Sequence, residues 1–331
     1  MLPEFLVSVA VVLSSLVLST SATPASKSPY RGFKKLKYVF SFGDSYTQTG
    51  FNLTNGSPLP SAGNPMGNPP WPGWTSSNGP NWIGYLTTTY NASTLLTYNM
   101  AYGGATIDSA LVKPWRDDVL SLKNQIEDLF LKHLGSHPAT TPWRSDNSLF
   151  TIFIGINDVG NSYWLGDFDN FHNHLMDVYF GLVDKLYSTG ARNFLFINVP
   201  PVNRSPLTVA QGDSAITTEK EALTSYNSKL VERVATLRKD KTKAKSPVWA
   251  RVFDYSTLFN NILDNGHHYG LKNTTGFCDK YQSGTPAWDT FDPVCGVRVD
   301  EYFWLNSLHP GYKVNKAFAK ELSKFLKQEG K

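Results

Sequence analysis

Apolar runs and amphipathic stretches alternate along this chain. KYVFSF (37–42), TLLTYNM (94–100), LFTIFIGI (149–156), NFLFINV (193–199) and PVWARVFDY (247–255) are mostly apolar without strict alternation, the pattern of strands buried on both faces of a parallel sheet. Helical periodicity fills the intervals at 81–90, 117–134, 168–189 and 217–240. A closing helix is expected after Pro310 to about Lys327, with the proline where a first turn tolerates one. Strand–helix alternation of this kind predicts an α/β sandwich. No repeat or long linker divides it, so residues 37–331 read as one domain behind a leader at 1–22 and an extension at 23–36. Residues 50–80 break the rhythm: they are rich in Gly, Pro, Asn and Trp and have no period. Long insertions of this type are often functional, and this one is expected to lie over the active-site edge.

The first strand ends in YVFSFGDSY (38–46), where an apolar run stops at Gly43-Asp44-Ser45. Ligands of open parallel sheets bind beyond the carboxyl ends of the strands, which is where Ser45 falls. A helix starting at or soon after Ser45 would aim free N–H groups at an anion beside the hydroxyl, and Gly43 would give the turn its freedom. The alternative for an isolated G-D-S is a capping serine and a solvated aspartate.

Composition limits the chemistry. With 331 residues, 41% hydrophobic and 18% charged, the chain suits one large or two small domains and excludes disorder and coiled coil. FLVSVAVVLSSLVL (5–18), followed by small residues ending at Ala22 or Ala25, has signal-peptide length and is short for a bilayer span. Glu4 and the absence of Lys and Arg from residues 1–26 depart from the usual basic start, and an N-terminal anchor or buried helix is the alternative. Sequons begin at Asn52, Asn55, Asn91, Asn203 and Asn273. Cys278 and Cys295 are the only cysteines, and in a secreted loop such a pair is expected to form one disulfide rather than a zinc site. A secreted, extracellular monomer without stable membrane association is therefore expected. The net charge of +4 resides largely in clusters such as Lys34-Lys35-Leu36-Lys37 and Arg238–Lys245. They read as the approach to a strand and a solvated helix end, so no nucleic acid is implied. His172 and His174 point to different faces of a helix, and His267-His268 reads as a surface turn, so no metal is expected. No phosphate-loop or dinucleotide fingerprint is present, and no organic cofactor is expected.

Four blocks now come together: FSFGDSY, NMAYGGAT (99–106), FIGINDVG (153–160) and WLNSLHP (304–310). In order and position they resemble the signature blocks of SGNH hydrolases, or GDSL esterases, over nearly the whole mature chain. SNGPNWIGYL (77–86) and INDVGNSYW (156–164) are similar to the fungal secreted branch grouped as carbohydrate esterase family 16, which are acetyl esterases acting on acetylated sugars. The resemblance implies the flavodoxin-like three-layer α/β/α fold of SGNH hydrolases, with a mainly parallel five-stranded sheet. It also implies Ser45 as nucleophile, His309 as general base, and the Ser45 N–H, Gly104 N–H and Asn157 amide as oxyanion donors. Without the family, Gly104 reads as a turn glycine and Asn157 as a helix cap.

One position departs from the family pattern. An aspartate usually stands three residues before the histidine, and here Asn306 does. An amide oxygen can accept from the imidazole but cannot neutralise imidazolium, so a backbone carbonyl or a distant carboxylate are alternative orienting groups. The implied function is a secreted acetyl esterase acting on acetylated, plant-derived oligosaccharides and small acetate esters. A lipase or phospholipase and a non-catalytic carbohydrate-binding descendant are the alternatives. Trp71 and Trp74 are candidate sugar platforms, whereas Trp82, in a helical pattern, is expected in the core.

Overall fold

The structure is a computed structural model that describes residues 28–244 and 246–330. The expected signal peptide and the first part of the extension lie outside the described residues. The strands are β1 (Tyr38–Gly43), β2 (Leu96–Asn99), β3 (Ser148–Phe153), β4 (Asn193–Ile197) and β5 (Trp249–Phe253). They form one sheet in the order β2-β1-β3-β4-β5, and every neighbouring pair is parallel. Every residue of β1, β3 and β4 is buried, which is why their sequences show apolar runs rather than alternation.

The helices are α1 (Trp82–Thr88), α2 (Leu122–Asn124), α3 (Ile156–Gly160), α4 (Phe168–Ser188), α5 (Pro206–Val209), α6 (Asp213–Lys243), α7 (Tyr255–Asp264) and α8 (Tyr312–Gln328). α2 runs directly into a wider helical turn at Gln125–Leu131. Right-handed crossovers in opposite directions from β1 send the first connection to one face of the sheet and the later ones to the other. α1 and α7 accordingly pack with α8, and α4 packs with α6. The expected α/β/α sandwich is the architecture found.

Three boundaries differ from expectation. The domain starts earlier than residue 37, because Tyr30 is buried, stacks on Trp249 at 4.3 Å and donates its hydroxyl to the Leu326 carbonyl at 2.8 Å. α7 was hidden because its first residue, Tyr255, continues the apolar run of β5. Asp254 stops the strand there by accepting from Thr257 N. No helix follows Ser45: one turn forms, with Thr47 N and Gln48 N both donating to the Asp44 carbonyl (3.0 and 2.9 Å), before the chain enters the insertion.

The insertion at 50–80 contains no helix or strand beyond one bridge between Ser61 and Asn64. Asn68 organises it, donating to the Asn52 and Pro58 carbonyls while accepting from Asn52 N. Cys278 and Cys295 are joined, as expected, and close a loop over a small separate core that includes Tyr281 and Tyr302. Among the sequons, Asn52 and Asn55 are exposed, but Asn203 is only 5% exposed. A glycan on Asn203 would have no room, so that expectation is corrected. Among the described residues, no helix is long and apolar enough to cross a membrane.

Gly43 is needed for a different reason from the one expected. It is not in a left-handed conformation; instead it pairs with Phe153 in the sheet, and an added Cβ would strike the Phe153 carbonyl oxygen. The Gln125 amide locks the same residue from the other side, accepting from Gly43 N (2.9 Å) and donating to its carbonyl (2.8 Å). Gly43→Ala should therefore destabilise the fold by about 1–3 kcal/mol, as overpacking does. Urea unfolding with an unchanged midpoint would contradict this.

Candidate active site

The site assembles at the carboxyl edge of the sheet, where three strands deliver different loops. β1 ends two residues before Ser45, the loop after β2 carries Gly104, and α3, directly after β3, carries Asn157. His309 arrives from the far end of the chain, on the loop before α8. Its Nε2 lies 2.7 Å from Ser45 Oγ. That loop is held by the Tyr46 hydroxyl donating to the Leu308 carbonyl (2.7 Å) and by Leu305 N donating to the His309 carbonyl (2.8 Å).

The group on the other imidazole nitrogen is Asn306. Its Oδ1 is 3.0 Å from His309 Nδ1 and also accepts the backbone N–H groups of Leu308 (3.0 Å) and His309 (2.9 Å). Those two backbone donors settle which end of the amide faces the ring, because a reversed amide would set its NH₂ against them. The oxygen must face Nδ1, Nδ1 must carry the proton, and the Nε2 lone pair is left to accept from Ser45. No carboxylate among the described residues makes a hydrogen bond to His309. Burial without an anion pushes the imidazole down from 6.5 to about 4. The neutral, proton-accepting form is thus favoured well below the ordinary histidine value.

Opposite the histidine lie N–H donors. Gly104 has φ +82°, a left-handed conformation suited to glycine. Its loop is fixed from both sides: Gly103 N donates to the Gln48 side chain, and the Asn157 amide donates to the Ala105 carbonyl at 2.9 Å. Asn157 retains a second amide hydrogen. Among the described residues, neither Ser45 N nor Gly104 N has a protein acceptor. Ser45, Gly104, Asn157 and His309 line one cavity of about 410 Å³, together with Tyr102, Trp115 and Arg116. Trp115, 70% exposed, lies against Gly104 so closely that a Cβ there would strike the indole nitrogen. The Arg116 guanidinium sits 4.6 Å over the Trp115 ring.

Two buried acids brace these loops. Asp44 Oδ1 accepts from Tyr46 N and Asp158 Oδ1 from Ile107 N, each at 2.9 Å. Burial raises both carboxyls from 3.8 to about 7. Asp44 is therefore not the solvated turn residue that an isolated G-D-S suggests.

The tryptophans separate. Trp82 is fully buried and donates to Thr47 Oγ1 at 3.0 Å, as its helical pattern predicts. Trp74 is exposed and lines a trough that also holds His309. Trp71 does not line that trough: it packs over Gly84 and, together with Trp74, lines a different hollow in the insertion. His172 is buried against Ser225, and His174 is exposed. Gln48, Trp115 and Asp158 were missed by sequence reasoning. The only available signal for Asp158 was its position next to Asn157 in the third block.

Comparison with known proteins gives the family. Residues 39–322 match the family described as GDSL-like Lipase/Acylhydrolase, and the chain belongs to that family of carboxylic ester hydrolases. It is 36% identical to an acetylesterase of Thermothelomyces thermophilus, over 94% of this chain and 95% of that one. An acetylesterase of Hypocrea jecorina is 25% identical, over 94% and 93%. A solved acetyl xylan esterase from Geobacillus stearothermophilus shares 14% identity at a TM-score of 0.45, over 88% of this chain and 96% of that one.

Ser45 and His309 should behave as one unit. Ser45→Ala, His309→Ala and the double variant are expected to lose turnover by one similar factor, on the order of 10⁴ or more, rather than by additive amounts. Steady-state kinetics on an aryl acetate checks this, and a Ser45→Ala protein that keeps most of its acetate release would contradict it. Asn306→Asp should raise the His309 pKa by adding an anion at 3.0 Å. Since protonation removes the base, the acidic limb of the rate profile should move to higher pH. Asn306→Ala should lose about tenfold in turnover, equivalent to roughly 1.4 kcal/mol of barrier. A pH–rate series of the three proteins reads both effects.

Proposed function

We propose that this protein removes acetyl groups from acetylated, plant-cell-wall-derived oligosaccharides and from small acetate esters, by way of an acetyl-enzyme on Ser45. The observation that carries this reading is the contact of Ser45 Oγ with His309 Nε2 at 2.7 Å, with the Asn306 oxygen on Nδ1. Ser45 Oγ attacks the acetyl carbonyl as its proton passes to Nε2. The carbonyl oxygen becomes an oxyanion held by the Ser45 and Gly104 N–H groups and the free hydrogen of the Asn157 amide, donors of this kind each contributing about 3 kcal/mol. Collapse breaks the bond to the sugar oxygen, which takes the proton from Nε2. Water then attacks the acetyl-serine, its proton passes to Nε2 and on to Ser45 Oγ, and acetic acid leaves.

The acetylesterase relatives support the acetyl group as the acyl part, and so does the site itself. Trp115, braced by Arg116, closes the Gly104 side of the cavity, where the acyl substituent would lie. A long acyl chain would meet the indole there, which disfavours the lipase reading. The intact Ser45–His309 pair disfavours a purely binding role. The Cys278–Cys295 disulfide and exposed sequons at Asn52 and Asn55 support an extracellular enzyme. The test is an acyl-length series on one alcohol. Wild type should favour acetyl strongly over octanoyl, and Trp115→Ala should raise the octanoyl-to-acetyl ratio of kcat/KM by about tenfold or more, the scale of pocket discrimination against methylenes. A flat series in the wild type would contradict the acetyl assignment.

A further inference from the structure

Beside the catalytic cavity runs a trough of about 550 Å³ that contains His309 and Asn306 but not Ser45, Gly104 or Asn157. Its walls come from distant parts of the chain: the end of the insertion, and the loop closed by Cys278 and Cys295. Each wall carries one accessible indole, Trp74 at 70% exposure and Trp288 at 42%. The walls are pinned together by two hydrogen bonds, Asn78 Nδ2 to Thr285 Oγ1 and Thr285 N to Asn78 Oδ1, each 2.8 Å. Asn78 is held at φ +54° where it makes them, a conformation that non-glycine residues adopt uncommonly. Trp288 rests in turn on Tyr312, the first residue of α8, with ring centroids 5.6 Å apart.

The chemistry of the dyad decides what this trough can hold. The leaving oxygen must receive its proton from His309 Nε2, so the alcohol has to depart on the histidine side of Ser45, away from the donors at Gly104 and Asn157. The trough is on that side. Its lining offers hydroxyls and amides, including Ser76, Gln282 and Ser283, and no Lys, Arg, Asp or Glu. Two indoles with neutral hydrogen-bonding groups between them suit a ring that has apolar C–H faces and a rim of hydroxyls. A charged rim would find no counterion there.

We infer that the trough is the subsite for the leaving alcohol, and that it takes a neutral pyranose ring between Trp74 and Trp288, with the Asn78–Thr285 bonds setting the spacing of the two walls. This rests on the acetylesterase reading and names the alcohol half of its substrate. The disulfide loop, rich in turn residues and without a recognisable motif, thereby becomes a specificity element.

The test compares a monoacetylated methyl β-xylopyranoside with ethyl acetate, whose alcohol is too small to span the walls. Trp288→Ala should lower kcat/KM on the sugar ester by about tenfold, mainly through KM, while ethyl acetate stays within about twofold. Asn78→Ala should shift the same ratio in the same direction, and Trp288→Phe should restore most of it. Unchanged ethyl acetate hydrolysis doubles as the check on folding. Equal losses on the two substrates, or none on either, would overturn the trough assignment. Wild-type hydrolysis of ethyl acetate but not of the sugar ester would overturn it as well, leaving the esterase intact. Hydrolysis of neither would overturn the acetylesterase reading beneath it.

Discussion

The arrangement of Ser45 and His309 depends on one oxygen. Asn306 Oδ1 accepts from two backbone N–H groups and from the imidazole of His309 at once. Replacing the triad aspartate by asparagine in a serine protease costs about 10⁴ in turnover, because the amide settles the imidazole in the wrong tautomer. Here the backbone of the same turn prevents that outcome. Leu308 N and His309 N fix the amide, the amide fixes the proton on Nδ1, and Nε2 is free to face Ser45. The missing negative charge has a second effect. With no anion to hold the imidazolium, burial lowers the histidine to about 4, so the ring stays neutral in mildly acidic surroundings where a carboxylate-paired histidine would be protonated.

Ionisable groups withdrawn from water have opposed consequences for stability. His172 and His309 are both lowered from 6.5 to about 4. The unfolded chain takes up these protons first as pH falls, so their contribution is lost between the two values. Asp44 and Asp158 are raised from 3.8 to about 7. Their contribution is complete at low pH and is lost as pH rises through the folded value. Over the interval that the two pairs share, their slopes oppose one another. The carboxyls also act mechanically, since each grips a backbone N–H next to a loop that the chemistry uses.

Much of the fold was legible because burial on both faces leaves a strong mark. β1, β3 and β4 had to be apolar throughout, and their runs stood out for that reason. Where burial and local structure part company, the sequence was silent. Tyr255 is as buried in α7 as it would be in a strand, so the helix was absorbed into the preceding run. The turn after Ser45 could be mistaken for a helix because its termination depends on distant side chains: Asn81 and Asn99 both donate to the Thr47 carbonyl and hold the chain there. Ser45, Gly104, Asn157 and His309, each in one of the four blocks, meet at one cavity. Trp115 and Trp288 did not stand out, because they lie in loops with no period, where residues far apart in sequence meet.

The most direct measurement is nitrogen-15 NMR of the His309 imidazole across a pH titration. The account predicts a neutral ring protonated on Nδ1 and accepting on Nε2, persisting well below 6.5 and charging only near 4. A neutral ring protonated on Nε2, or a ring that titrates at the ordinary histidine value, would contradict it.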